Sequence, residues 1–190
     1  MAAVSKDDRQ PHLSAEDARE LIAAAMQRYR QEHGNLPARL VVHKTSGFTD
    51  AEVEGCRAAI VELSVHSSDL LSVRSSNTRL LRHGRYPPLR GTMLTLDERT
   101  HVLYTRGSVP FFGTYPGLYV PRPLSFRTYR ADQSPRALAA EIVALTKMNW
   151  NNTEFDQRDP ITIRAARQVG NVLKYLGPTD YVEPRYSAYM

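Results

Sequence analysis

The chain has 190 residues, of which 42% are hydrophobic, so it can form one domain with a sizeable core and is not a disordered protein. Its formal net charge of +5 is moderate, and many proteins that bind no nucleic acid carry as much. A single cysteine, Cys56, excludes an internal disulfide and indicates a small buried residue in the reducing cytoplasm. The sequence contains no run of 18 apolar residues, so no segment is predicted to span a membrane.

The first 13 residues lack the apolar core of a signal peptide and predict a loose tail. Ser14 can then cap a helix, with Glu16 and Asp17 in the favourable first turn. Gly34 ends this helix. Its apolar face is predicted to consist of Leu21, Ile22, Ala25, Met26 and Tyr29.

Two short apolar runs follow, and both are typical of buried parallel strands. They lie at Arg39–His43 and Asp69–Arg74, and the helix between them is capped by Thr49 or Asp50. Helix, strand, helix and strand at such short spacing predict an α/β unit with parallel pairing.

The next part of the chain alternates between apolar and polar residues. Leu89–Leu96 and His101–Arg106 flank a turn at Asp97–Arg99, which predicts an antiparallel hairpin. A glycine-rich and aromatic loop is expected at Gly107–Gly117, followed by a further strand at Pro123–Tyr129.

Two more helices are predicted near the C-terminus, and a polar loop lies between them. Ser134-Pro135 begins the first, and Pro160 is the first residue of the second, which runs to Leu176. The loop, Asn149–Asp159, offers amide donors beside the backbone N–H groups of a helix N-terminus, which suits a phosphate. From spacing alone, however, asparagines that cap helix ends are the commoner explanation.

Basic residues are concentrated in one segment that contains no acid. Five arginines fall within 17 residues, namely Arg74, Arg79, Arg82, Arg85 and Arg90. Such a stripe is the electrostatic footprint of a nucleic-acid face, although a solvated basic loop has the same composition. Three tyrosines could stack on bases, but their spacing fits core or rim positions better: Tyr104, Tyr115 and Tyr119.

Several motifs together resemble the C-terminal part of the PIWI domain of prokaryotic Argonaute proteins. They are LTKMNWNN with PITIRAARQVG, HKTSGF within Leu36–Ala59, and the ending RYSAYM. The resemblance runs from about Ser14 to Met190. It implies an α/β, ribonuclease H-like PIWI domain over residues 14–190, with a mixed sheet flanked by helices and the antiparallel hairpin as an insertion.

The resemblance also identifies two positions where members that cut nucleic acid hold their metal ions. Cleavage in the family uses acidic or histidine ligands around two divalent cations, which need hard oxygen ligands. The matching positions here are Lys44, or His43 if the register slips by one, and Arg167. Cations there repel a metal, so the resemblance implies a domain that does not cleave. Asp156 and Asp159 lie close in sequence to the second position and could in principle substitute for its ligand, but one carboxylate without its partners does not hold a metal pair.

What remains is binding of a guide strand and its target. The resemblance places near the guide's 5′ phosphate Lys147, Asn149, Asn151 and Asn152. It also implies that the terminal carboxylate of Met190 helps to hold a Mg²⁺ ion on that phosphate. Arg74, Arg79 and Arg82 would contact phosphates of the guide backbone without reading bases.

The implied partners are guide and target nucleic acid, a MID domain or upstream Argonaute portion that completes the phosphate pocket, and an associated effector protein. Two alternatives stay open. The chain could belong to a metal-dependent, guide-directed nuclease whose acids are supplied upstream. It could instead be a PIWI-fold protein-interaction module that has lost nucleic-acid binding.

Overall fold

The structure is a computed structural model of the protein. It describes residues 3–4, 11–112, 115, 119–148, 157–177, 180, 181, 183 and 185. The strands are β1 Ala3–Val4, β2 Pro11–His12, β3 Arg39–Lys44, β4 Ser67–Ser75, β5 Met93–Thr95, β6 Thr100–Leu103 and β7 Leu124–Ala131. The α-helices are α1 Ala15–His33, α2 Asp50–Glu62, α3 Pro135–Leu145 and α4 Ile161–Leu173. Within the predicted tail, β1 and β2 pair antiparallel.

A mixed five-stranded sheet has the strand order β3–β4–β7–β6–β5. β3 and β4 are parallel, in a register that sets Arg39 beside Ser67 and Lys44 beside Ser72. β5 and β6 are antiparallel, with Met93 beside Leu103. The sheet confirms both the predicted parallel pair and the predicted hairpin.

The chain divides into two compact units, one made of Met1–Val73 with Arg127–Ser134 and the other of Arg74–Phe126 with Pro135–Met190. We call them the first and the second unit. In the first unit, α1 packs on α2 around a buried cluster that contains Cys56, as predicted. The cluster consists of Ala18, Ile22, Met26, Cys56, Ala59, Ile60, Val65 and Leu70.

The ends of α1 and α2 are fixed by the residues that the sequence indicated. The Ser14 side chain accepts a hydrogen bond from the Asp17 N–H, and Gly34 closes the helix in the left-handed region at φ 81°. Thr49 forms a capping box with Glu52. The predicted apolar face of α1 was too wide, because Leu21 is 59% and Tyr29 41% exposed. Ala18 takes their place in the core.

The second unit has its own buried side chains, contributed by β6, β7, α3 and α4. The largest hydrophobic ones, with Tyr104 directly after β6, are Val102, Leu103, Tyr104, Leu124, Phe126, Leu138, Ile142 and Ile163. The Tyr104 hydroxyl accepts a hydrogen bond from the Leu80 N–H at 2.9 Å. This tyrosine is therefore a core residue, which excludes it from base stacking.

The structure changes the predicted bounds of α4. Pro160 is the N-cap instead of the first helical residue, with ψ 151°, and its carbonyl accepts bonds from the Ile163 and Arg164 N–H groups. The helix ends at Leu173, three residues before the predicted Leu176. Among the described residues, none of the helices is long and apolar enough to cross a membrane.

The close approach of α1 and α2 predicts a strong effect of one methyl group. A Cβ on Gly55 would lie 2.1 Å from the Ala15 backbone oxygen, a contact that only backbone movement relieves. We expect Gly55→Ala to lower the free energy of unfolding by about 3 kcal/mol. The measurement is urea denaturation of the full chain.

Gly170 within α4 is the matched control, because a Cβ there meets no atom within 4 Å. Gly170→Ala should be neutral or stabilising by up to about 1 kcal/mol, through higher helix propensity. Equal effects of the two substitutions would contradict the packing described for Gly55.

Candidate nucleic-acid interface

The basic segment begins at the end of β4 and continues through residues 76–90. Arg74, Arg79, Arg82 and Arg85 are exposed. The backbone between them is anchored, since the Ser76 N–H donates to the Pro123 carbonyl at 2.9 Å. The segment therefore presents exposed guanidinium groups from a backbone that is tied to the second unit's core.

Arg90 has a different role from the other arginines of the segment. It is half-buried, and its Nη2 donates to the Val143 carbonyl at 2.9 Å and to the Thr146 Oγ1 at 2.8 Å. These bonds attach the start of the hairpin to the C-terminal end of α3. We therefore assign Arg90 to the structure of the second unit and not to its basic surface.

An apolar groove lies along the same segment. Its volume is about 760 Å³, and its lining includes Leu80, Leu81, Tyr86, Leu89 and Val109. A second pocket of about 390 Å³ is lined in part by Arg82, Arg85, Tyr86, Tyr115 and Tyr119. Tyr119 is 82% exposed, which excludes the core position that was one of the two expected from its spacing. Aromatic rings beside guanidinium groups are the combination that binds single-stranded nucleic acid.

Lys44, at the first of the two predicted metal positions, belongs to an internal ion pair of the first unit. Its Nζ donates to the Glu52 Oε1 at 2.5 Å and to the Gly47 carbonyl at 3.0 Å. Glu52 is only 2% exposed, and its carboxylate also accepts from the Thr49 N–H and the Leu13 N–H. One buried carboxylate therefore holds Lys44, the start of α2 and the residue before the α1 cap.

The surroundings of Glu52 favour its ionised form. Burial acts to raise the pKa of Glu52, but the hydrogen bonds from Lys44, Leu13 and Thr49 outweigh it and hold the pKa below its ordinary value. The carboxylate is thus charged at neutral pH, and its oxygens are occupied by donors of the protein.

Arg167, at the second predicted metal position, is paired in the second unit. It donates to the Asp159 Oδ2, and Arg158 approaches the same carboxylate with its Nε and Nη2 at 3.0 and 2.9 Å. Burial raises the pKa of Asp159, but these guanidinium groups dominate and lower it overall. Asp159, which the sequence left open as a substitute ligand, is instead the anion that holds two arginines.

The predicted 5′-phosphate residues are described only in part. Lys147 is exposed in the turn that directly follows α3, and its N–H donates to the Ala144 carbonyl at 2.9 Å. Asn149, Asn151, Asn152 and Met190 lie outside the described residues, as does Asp156. The phosphate site and its Mg²⁺ ion therefore stay predictions. Among the residues that the structure describes, no group of three or more His, Cys, Asp or Glu side chains could hold a metal ion.

Comparison with known proteins connects this fold to one class of solved structures. No protein-family profile and no curated protein sequence matches the chain. Clostridium butyricum Argonaute, bound to a guide DNA and a 19-mer target DNA, matches with a TM-score of 0.68 and 17% identity over 89% of this chain and 22% of that chain. Aquifex aeolicus Argonaute matches with a TM-score of 0.63 and 16% identity over 92% of this chain and 23% of that chain.

A third match is Marinitoga piezophila Argonaute in complex with a 5′-OH guide RNA and a target DNA. Its TM-score is 0.65, with 14% identity over 98% of this chain and 25% of that chain. At such identities the likeness establishes the fold, which is the ribonuclease H-like, PIWI-type arrangement that the sequence predicted. The chain spans about a quarter of the length of the Argonautes that it matches.

The Lys44–Glu52 pair predicts a specific pH dependence of stability. We expect Glu52→Gln to lower the free energy of unfolding by about 2–3 kcal/mol at pH 7, because it leaves Lys44 without its counter-ion in a mostly buried site. A carboxylate with a lowered folded-state pKa stabilises the fold above the pH at which the unfolded chain protonates, about pH 4. That stabilisation is lost as the pH falls through the folded-state value.

The wild-type chain should therefore lose its advantage over Glu52→Gln as the pH is lowered from 7 to about 3, measured by urea denaturation. Glu54→Gln, an exposed position on the same helix, is the control and should change stability little at any pH. An advantage of the wild type that stays constant across this range would contradict an ionised Glu52.

Proposed function

We propose that this chain is the C-terminal portion of an Argonaute-type PIWI region and binds guide and target nucleic acid without cleaving it. The observation that carries the proposal is the exposed, acid-free arginine segment beside the second pocket, which is lined by tyrosines, on a chain with the fold of Argonautes. The matched Argonautes from Clostridium butyricum and Marinitoga piezophila were solved with guide and target strands, which supports the same class of ligand here.

The proposed binding depends on charge and stacking. Arg74, Arg79 and Arg82 contact phosphates, which position a strand without reading its sequence. Tyr86 and Tyr119 offer ring faces on which bases can stack. Because phosphate contacts release counter-ions, affinity should fall steeply with salt and vary little with sequence.

The 5′-phosphate pocket is the part of the proposal that needs a partner. Lys147 and the asparagines of its loop supply only part of a phosphate site. We therefore expect tight guide binding only together with a MID domain, supplied upstream or by a separate chain. An effector protein is a further partner that we propose on the resemblance alone.

The absence of cleavage is proposed from the ion pairs at the two metal positions. Lys44 and Arg167 each place a cation where the family uses a metal ligand, and two like charges repel at close range. Their carboxylate partners, Glu52 and Asp159, are already occupied by donors of the protein. A two-metal reaction needs free carboxylate oxygens that bridge or coordinate both ions.

The arginine segment can be tested by changing Arg74, Arg79 and Arg82 together to Ala. Binding of single-stranded oligonucleotides should weaken about equally for all sequences. The slope of log K against log salt should become shallower by about 2, since three phosphate contacts on a single strand contribute about 0.7 each. Fluorescence anisotropy at several salt concentrations measures both quantities.

A matched control removes three exposed arginines from helices elsewhere in the chain, namely Arg30, Arg57 and Arg136. It lowers the net charge by the same amount, so a general charge effect would weaken both variants alike. If the segment variant keeps the wild-type affinity and slope, its arginines belong to a solvated loop, and the protein-interaction alternative gains support.

The proposed lack of cleavage has a direct test with the purified chain. Labelled single-stranded DNA and RNA targets should stay intact with Mg²⁺ or Mn²⁺, in the presence or absence of a complementary guide. Products would be resolved by denaturing gel electrophoresis, with a chelator as the control. Guide-dependent products that disappear on chelation would show the nuclease alternative to be correct.

A further inference from the structure

A basic cleft of about 490 Å³ lies in the second unit and contains the Arg167–Asp159 pair, but the function proposed above assigns no ligand to it. Its lining contains four arginines and two glutamines: Arg106, Arg158, Arg164, Arg167, Gln157 and Gln168. Of the lining residues that the structure describes, Asp159 is the acidic one. None of the four arginines belongs to the Arg74–Arg90 segment.

The cleft is built by α4 and by a turn that is attached to the hairpin. Arg164, Arg167 and Gln168 lie three and four residues apart, so they share one face of α4. The buried Thr105 donates through its Oγ1 to the Arg158 carbonyl at 2.7 Å. This bond holds the turn before α4 against the segment after β6, and Arg106 thereby reaches the same cleft.

Asp159 orients two of the arginines without covering them. Its side chain is only 10% exposed, whereas that of Arg158 is 34% and that of Arg167 is 48% exposed. A guanidinium group carries five N–H donors in a rigid fork. Asp159 engages two from Arg158 and one from Arg167, so further donors of both groups can reach a ligand in the cleft.

The balance of charge in the cleft points to an anionic ligand. Among the described residues of the lining, four guanidinium groups accompany one carboxylate, and like charges in a concave, partly desolvated site repel one another. An anion with several oxygens relieves that repulsion. Planar guanidinium groups match phosphate oxygens with paired hydrogen bonds, and the Gln157 and Gln168 amides add neutral donors.

We propose that this cleft binds a phosphate group directly on its guanidinium groups, without a metal ion. Arg106 and Arg164 contact the phosphate, while Asp159 holds Arg158 and Arg167 in position for it. A backbone phosphodiester and a terminal phosphate monoester share this chemistry. That the phosphate belongs to a nucleic-acid strand rests on the function proposed above, whereas the phosphate site itself does not.

The first experiment uses inorganic phosphate as the probe. Phosphate is titrated into the ¹⁵N-labelled chain at constant ionic strength with chloride as the counter-titration, and the arginine Nε–H signals are followed by NMR. We expect saturable shifts in the wild-type chain and at least tenfold weaker binding in Arg106→Gln/Arg164→Gln. Arg30→Gln/Arg57→Gln removes the same charge at exposed helical positions and should bind phosphate like the wild type.

Two results would overturn the proposal that the cleft binds phosphate. One is a wild-type chain that shows no saturable response to phosphate, and the other is a double variant that responds like the control. If the double variant does not fold, Arg164→Gln alone decides the matter, because Arg164 lies on a partly exposed face of α4. That single variant should still weaken phosphate binding several-fold, and unchanged binding would refute the proposal.

The second experiment separates the phosphate sources, with single-stranded oligonucleotides that end in a 5′ hydroxyl or a 5′ phosphate. If Arg106→Gln/Arg164→Gln lowers the affinity for both oligonucleotides equally, the cleft holds a backbone phosphodiester. If only the affinity for the 5′-phosphorylated oligonucleotide falls, the cleft holds a terminal phosphate monoester. If the wild-type chain binds both oligonucleotides and the double variant binds them equally well, the cleft has no role in binding nucleic acid.

The two proposals can fail separately. The chain could bind phosphate through Arg106 and Arg164 and yet bind no oligonucleotide. That result supports the phosphate site in the cleft and overturns the function proposed above. The chain could instead bind oligonucleotides through Arg74, Arg79 and Arg82 while its cleft does not respond to phosphate. That result overturns the phosphate site in the cleft and agrees with the function proposed above.

Discussion

The ion pair between Lys44 and the buried Glu52 is the interaction on which the first unit depends. Glu52 closes the capping box of α2, accepts the N–H of Leu13 ahead of α1, and fixes the last residue of β3. A helix start, a strand end and the entry to a second helix thus meet at one carboxylate. Because only 2% of Glu52 is exposed, each of these donors also serves to satisfy a charge that burial would otherwise penalise.

The same physical solution recurs where other chain segments meet. Asp69, which is fully buried in β4, accepts from Arg39 in β3 and from the backbone N–H groups of Asp132 and Gln133 beyond β7. Asp159 holds Arg158 and Arg167 at the start of α4. In each case a carboxylate that could bind a cation is saturated by donors of the protein. This use of buried acids to organise the fold supports the proposal that the chain binds nucleic acid without metal-dependent cleavage.

Features that depend on a few neighbouring residues could be predicted from the sequence. Ser14, Thr49 and Gly34 mark helix ends through their own backbone and side-chain bonds, and the hairpin around Asp97–Arg99 follows from alternation. The exposure of Leu21 and Tyr29 could not be predicted, because the width of the face that α2 covers is decided by packing. The apolar groove and the second pocket could not be predicted, because Leu80 and Val109 in the one, and Arg82 and Tyr119 in the other, are close in space and distant in sequence.

The partnership of Asp159 with Arg167 shows how far residue identity alone can be taken. Spacing gave a carboxylate near a position where a metal ligand was expected, and it left open whether that carboxylate served a metal. The bond from Thr105 to the Arg158 carbonyl turns this segment so that two guanidinium groups converge on Asp159. Once they do, the local charge changes sign, from a site that would attract cations to one that attracts anions. The proposed anion-binding cleft therefore depends on this local geometry, in which Arg164 and Arg167 of α4 line the same cleft as Arg158 of the preceding turn.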